Sequence, residues 1–161
     1  MNLLRQEQMK LSDIITPESV IPELRSRDKK GVLMELAEVI STVEPSVDRD
    51  TLVQVLEERE KLGSTGIGDG VAIPHGKLNG ISKPLMSFGR SKSGVDFDSM
   101  DAKPVHLFFL LVAPENSAGA HLKVLAKIAK LLKNSEFRKR LLEAKDKGEI
   151  YNTIVESDEE L

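Results

Sequence analysis

The chain has 161 residues, a length that fits one hydrophobic core, and no linker-like stretch divides it. Apolar residues make up 40% and charged residues 30%, which places it among folded globular chains; the formal net charge of -3 lacks the positive field that nucleic-acid backbones require. With no cysteine, disulfides, thiolate metal sites and cysteine nucleophiles are excluded together. The opening MNLLRQEQMK has no apolar run of a secretory signal, and no stretch approaches the roughly 20 apolar residues of a membrane span, so a cytoplasmic protein without membrane insertion is expected.

After a polar lead over residues 1–9, LSDII and ESVIPEL read as short strands or turns, interrupted by Pro17 and Pro22. Asp28 precedes KKGVLMELAEVISTV, in which Val32, Leu33, Leu36, Val39 and Ile40 recur at helical spacing. A second helix is predicted from Asp48 through LVQVLEEREKL, with Leu52, Val55, Leu56, Arg59 and Leu62 on one stripe and Gly63 as its stop. Four glycines, Gly63, Gly66, Gly68 and Gly70, then form a loop able to bring backbone amides to an anion, which makes Ser64, Thr65, Gly66 and Gly68 candidate phosphate-loop residues. VAIP and PLMSFGRS read as strands, GVDFDSMD as a turn with a short strand, and VHLFFLLV, bounded by Pro104 and Pro114, as a buried central strand. Helical spacing returns in GAHLKVLAKIAKLLK, with His121, Val124, Leu125, Ile128, Leu131 and Leu132 on one side. Ser135 is a candidate cap for a helix through FRKRLLEA, and EIYNTIV predicts a last helix before the acidic tail of residues 157–161. Helices before, between and after the strands imply a single α/β domain, residues 10–156, with a mixed sheet sandwiched between helices.

Of the three histidines, His75 follows the glycine loop directly in GIGDGVAIPHGK. An imidazole is a nitrogen nucleophile near neutral pH, and Pro74 before it with Gly76 after it fits a ring held open to a partner; an ordinary loop histidine is the competing reading. Arg59 is either a donor fork for an anion or an arginine extending from a helix end, and His121 either a second site histidine or a satisfied core residue. His106, at the start of the central strand, reads as structural. Lys123, Lys127 and Lys130 read as a solvated helix face. The glycine loop lacks both the GK[ST] ending of a P-loop and the G-x-G-x-x-G spacing of a dinucleotide site, and the histidines are too sparse for a metal centre.

The string REKLGSTGIGDGVAIPHGKL, then GVDFDSMDAKPVHLFFLLVAPE and AHLKVLAKIAKLL, resembles the IIA domain of the bacterial phosphoenolpyruvate-dependent phosphotransferase system, in its mannitol/fructose/nitrogen-regulatory class, over residues 10–155. The resemblance implies a phosphohistidine carrier: His75 phosphorylated by an HPr-like phosphocarrier protein, His121 the second site histidine, Arg59 beside the phosphorylation site, and no cofactor or metal. PHGKL and DFDSMDAKPV look more like the nitrogen-regulatory branch, with regulatory target proteins downstream. The alternative is a stand-alone fructose/mannitol-type IIA that hands the phosphoryl group to a sugar permease IIB domain.

Overall fold

The computed structural model describes residues 9–117 and 119–161. Two 3₁₀ turns, Leu11–Asp13 and Pro17–Ser19, lead into edge strand β1 (Val20–Ile21). Helix α1 (Lys29–Val43) starts where Asp28 accepts a hydrogen bond from the Gly31 amide at 2.7 Å, and α2 (Arg49–Lys61) where Asp48 does the same for Thr51 at 2.9 Å. Strands β2 (Gly66–Gly68), β3 (Val71–Ala72), β4 (His75–Leu78), β5 (Leu85–Val95) and β6 (Val105–Pro114) follow, then helices α3 (Ala120–Lys133), α4 (Ser135–Glu143) and α5 (Lys147–Glu159).

The sheet is mixed. Its order is β1-β5-β6-β3-β2, with β4 also on β6; β5–β6 and β2–β3 are antiparallel, and β1–β5, β3–β6 and β4–β6 are parallel. β3 and β4 lie along the same edge of β6 in one continuous register, Val71 opposite Leu107 and His75 opposite Leu111. Pro74, which has no N–H to donate, marks the break between them.

Alternation from Leu107 to Val112 of β6 divides the core into two layers. Leu107, Phe109 and Leu111 pack with Val124, Ile128 and Leu131 of α3, Leu141 of α4 and Ile154 of α5. Phe108, Leu110 and Val112 pack with Leu36 and Ile40 of α1 and Leu52 and Leu56 of α2. The predicted central strand is therefore buried on both faces, and the single α/β domain with helices on either side is the observed fold.

Several local expectations are corrected. Leu62 leaves the predicted stripe and is 85% exposed, because α2 ends at Lys61; Val53 and Glu60 take the inward positions instead. GVDFDSMD holds no separate strand: Gly94 and Val95 finish β5, and Asp98 turns the chain at φ 53°. Asn134, not Ser135, caps α4, its side chain accepting from the Glu136 and Phe137 amides. The acidic tail is helical to Glu159, with Asp158 buried at 3.0 Å from Lys127 and accepting the Leu11 amide at 2.6 Å. Lys127 also donates to the Met9 carbonyl at 2.7 Å, so this lysine does not belong to a solvated face.

Candidate functional site

His75 opens β4, and alternation assigns the faces: Leu78 belongs to the α1–α2 layer, so Gly76 shares that side, while His75 and Lys77 face the α3–α5 side. Gly76 lies against α2. A Cβ on it would meet Val55 Cγ1 at 2.6 Å, so this glycine serves the approach of a helix rather than clearing room for the imidazole. His75 itself is half-buried, and its Nδ1 lies 2.8 Å from the Ile73 carbonyl. A carbonyl oxygen can only accept, so in the neutral ring Nδ1 carries the proton and Nε2 keeps the lone pair.

The end of β4 delivers this face to α3. Leu78 pairs with Pro114, the Glu115 amide bonds the Leu78 carbonyl at 3.0 Å, and α3 starts at Ala120 with His121 in its first turn. The helix is capped by Gly119 at φ 88°, a residue with no side chain to offer, so among the described residues its positive end is not compensated by its cap. His121 is half-buried, and its Nδ1 is shielded and without a hydrogen-bond partner among the described residues. Desolvation holds its pKa below the ordinary histidine value, and the neighbouring Lys77 and His75 push it the same way. These three side chains therefore share one electrostatic neighbourhood. Lys77 was not singled out from sequence; once His75 is placed on a strand, its position two residues on is the signal.

Arg59 stands one helical turn beyond Val55, the residue that meets Gly76, and its Nη1 donates to the Gly63 carbonyl at 2.8 Å. Its helix, α2, packs in the layer opposite the one that holds α3 and His121.

The glycine-rich stretch is a tight hairpin. Gly68, Asp69 and Gly70 all have positive φ (97°, 57° and 77°), which is why glycine is needed on both sides of the turn. Several of its donors are engaged within the protein. The Thr65 amide and hydroxyl both donate to Glu60, at 3.1 Å for the amide, the Gly66 amide donates to Ser64 Oγ at 3.0 Å, and Ser64 Oγ donates to the Phe97 carbonyl at 2.6 Å. Gly68 lies beside Asp101, whose carboxylate takes the Asp69 amide at 3.2 Å. Glu60 and its ion-pair partner Lys29, 3.0 Å away, were also missed from sequence, although an acid four residues after Leu56 on an apolar stripe was a visible anomaly.

His106 donates through Nδ1 to the Ser91 carbonyl at 2.9 Å and packs between Gly70 and Gly94. Among the described residues, no group of three or more His, Cys, Asp or Glu side chains is placed to hold a metal ion, and no helix is long and apolar enough to cross a membrane.

Comparison with known proteins gives concordant results. The profile of the family described as "Phosphoenolpyruvate-dependent sugar phosphotransferase system, EIIA 2" matches residues 13–157. The chain is 42% identical over 147 residues to a nitrogen regulatory protein of Bradyrhizobium diazoefficiens, covering 91% of this chain and 95% of that one. It is 36% identical over 151 residues to the fructose-specific EIIA component of a PTS system in Haloferax volcanii, covering 92% and 98%. Among solved structures, nitrogen regulatory protein IIA-Ntr from Neisseria meningitidis superposes with a TM-score of 0.84 at 34% identity, covering 89% and 98%.

Proposed function

The chain belongs to the EIIA 2 family of the phosphoenolpyruvate-dependent sugar phosphotransferase system, and from that premise we propose that it is a cytoplasmic phosphohistidine carrier of nitrogen-regulatory type, with His75 as the acceptor. The observation that carries the reading is the hydrogen bond from His75 Nδ1 to the Ile73 carbonyl. It presets the neutral tautomer whose Nε2 lone pair attacks phosphorus. In the step, the N–P bond of a phosphorylated HPr-like carrier breaks, its electron pair returns to the carrier's imidazole, and an Nε2–P bond forms on His75.

The incoming group is a dianion, so cationic and donor groups around it lower the barrier most. Lys77 and the first turn of α3 supply that environment on one side. Burial, with Lys77 and His75 beside it, lowers the affinity of His121 for a proton; the arriving dianion raises it, so His121 can then donate to the phosphoryl group. Arg59 supplies fixed positive charge from the α2 side. Ser64, Thr65 and Gly66, with hydroxyl and amide donors already bonded inside the protein, support the strand that presents His75, and Gly68 remains a candidate to meet the phosphoryl group.

Incubation with phosphoenolpyruvate, enzyme I and an HPr-like carrier tests the assignment: the protein gains one acid-labile phosphate and His75→Ala gains none. Label persisting in the variant overturns it. The similarity to a free-standing fructose-specific EIIA component favours a second reading, transfer to a sugar permease IIB domain. Efficient sugar phosphorylation in reconstituted membranes would establish that reading over regulation of target proteins.

A further inference from the structure

We propose that the buried cluster of Lys29, Glu60 and Thr65 is a positioning device that sets the tautomer of His75. Glu60 has only 5% of its side chain exposed, a burial that an unpaired carboxylate does not tolerate. It is held by the Lys29 ammonium at 3.0 Å, the Thr65 amide at 3.1 Å and the Thr65 hydroxyl, so three donors from α1 and the loop after α2 converge on one acid. Thr65 is thereby fixed, and its carbonyl accepts the Ile73 amide at 3.1 Å. Ile73 lies in the gap between β3 and β4, outside both strands, and the next bond to β6 runs from the Leu111 amide to the Pro74 carbonyl at 2.9 Å. Thr65 on one side and Leu111 on the other therefore aim the Ile73 carbonyl, and that carbonyl takes the Nδ1 proton of His75 at 2.8 Å. A continuous chain of hydrogen bonds and short backbone links runs from Glu60 through Thr65 and Ile73 to His75. If its far end shifts, Nδ1 loses its partner, the other tautomer gains population, and Nε2 is no longer a nucleophile.

The inference rests on His75 being the phosphorylated residue, but its main readout needs no phosphate. Imidazole ¹⁵N shifts of His75 separate the two neutral tautomers, and both from the doubly protonated ring, directly. Wild-type protein should show the Nδ1–H form in large excess. Glu60→Gln and Thr65→Val should raise the Nε2–H fraction and slow phosphorylation, by up to about 100-fold where the ring is misplaced by about 1 Å; Thr65→Ser, which keeps both donors, should restore the wild-type ratio. Folded variants, judged by circular dichroism, whose tautomer ratio equals wild type overturn the proposal whatever their transfer rate. If Glu60→Gln does not fold, the Thr65→Val and Thr65→Ser pair decides alone. Wild-type protein that takes no label on His75 overturns the carrier reading, a result separate from the tautomer ratio.

Discussion

Replacing Gly76 with alanine tests the claim that this glycine exists for the helix behind it. Its backbone is not in the left-handed region, so alanine is conformationally allowed and the only new feature is the Cβ. That atom would stand 2.6 Å from Val55 Cγ1, whereas carbon atoms pack at about 3.5–4.0 Å. A gap of roughly 1 Å must open between β4 and α2, because a valine in a helix has essentially one side-chain rotamer and cannot swing aside. Overpacking of this kind costs about 1–3 kcal/mol, and for a chain of this length each kcal/mol lowers Tm by about 2–4 °C. Val55→Ala alone removes two methyl groups from a half-buried site, about 1 kcal/mol. In the double variant the alanine methyl at 76 occupies the vacated room, so the two effects should fall short of additive by about 1 kcal/mol or more. Urea titrations of the four proteins give the cycle. Because the same shift moves the strand bearing His75, the phosphorylation rate should drop in Gly76→Ala and recover in the double variant. Additive stabilities, or Gly76→Ala as stable as wild type, refute the reasoning.

Two further outcomes follow from charges the fold places in or near the interior. Lys77→Met removes a cation that holds the His121 pKa down, so that pKa rises toward the ordinary histidine value, as an NMR titration would show. The unfolded chain binds the His121 proton more readily than the folded one, so wild-type stability declines as pH falls from about 6.5 through the lowered folded value, and this decline should be shallower in Lys77→Met. Arg90 is buried with no carboxylate partner among the described residues, its Nη1 on the Leu141 and Ala144 carbonyls at 2.8 Å and its Nε on Pro22 at 2.9 Å, closing the end of α4 from the sheet. Arg90→Met strands three carbonyls at about 1 kcal/mol or more each, so denaturant titration should show a loss of about 3 kcal/mol; a loss under about 1 kcal/mol contradicts the cap.

The elements legible in sequence are those whose signals are local. Asp28 and Asp48 sit directly before apolar helical stripes, and each accepts the amide three residues on. VHLFFLLV declared itself a two-sided strand because it has no polar face to offer water. Where two capping residues stood together, Asn134 and Ser135, composition could not choose: the cap is the residue still in extended backbone, and Asn134 has ψ 113°. β4 was hidden for a different reason. Its four residues are strand only because β6, far along the chain, continues past the proline break in unchanged register. Lys127 was misread because the partners that bury it, Met9 and Asp158, come from opposite ends of the sequence.

The candidate site divides along the same line between local and distant information. His75 and Gly76 were visible as neighbours, but which does what depends on the sheet having two covered faces: alternation turns one toward α3 and the other onto Val55. That same alternation brings Lys77 to the side of His121, and there the charges work against each other. Desolvation, and with it the nearby Lys77 and His75, depresses the pKa of His121, so in the unphosphorylated site this histidine is held back from protonation. On the carrier reading, a phosphoryl dianion on His75 reverses the sign of that field in a single step, and the group freed to respond is the one whose Nδ1 has no hydrogen-bond partner among the described residues. Arg59, always charged and reached from the α2 side, cannot respond in that way. The two side chains therefore differ in what they can report: the Arg59 contribution to transfer should be flat between about pH 5.5 and 8.5, and the His121 contribution should change across that range.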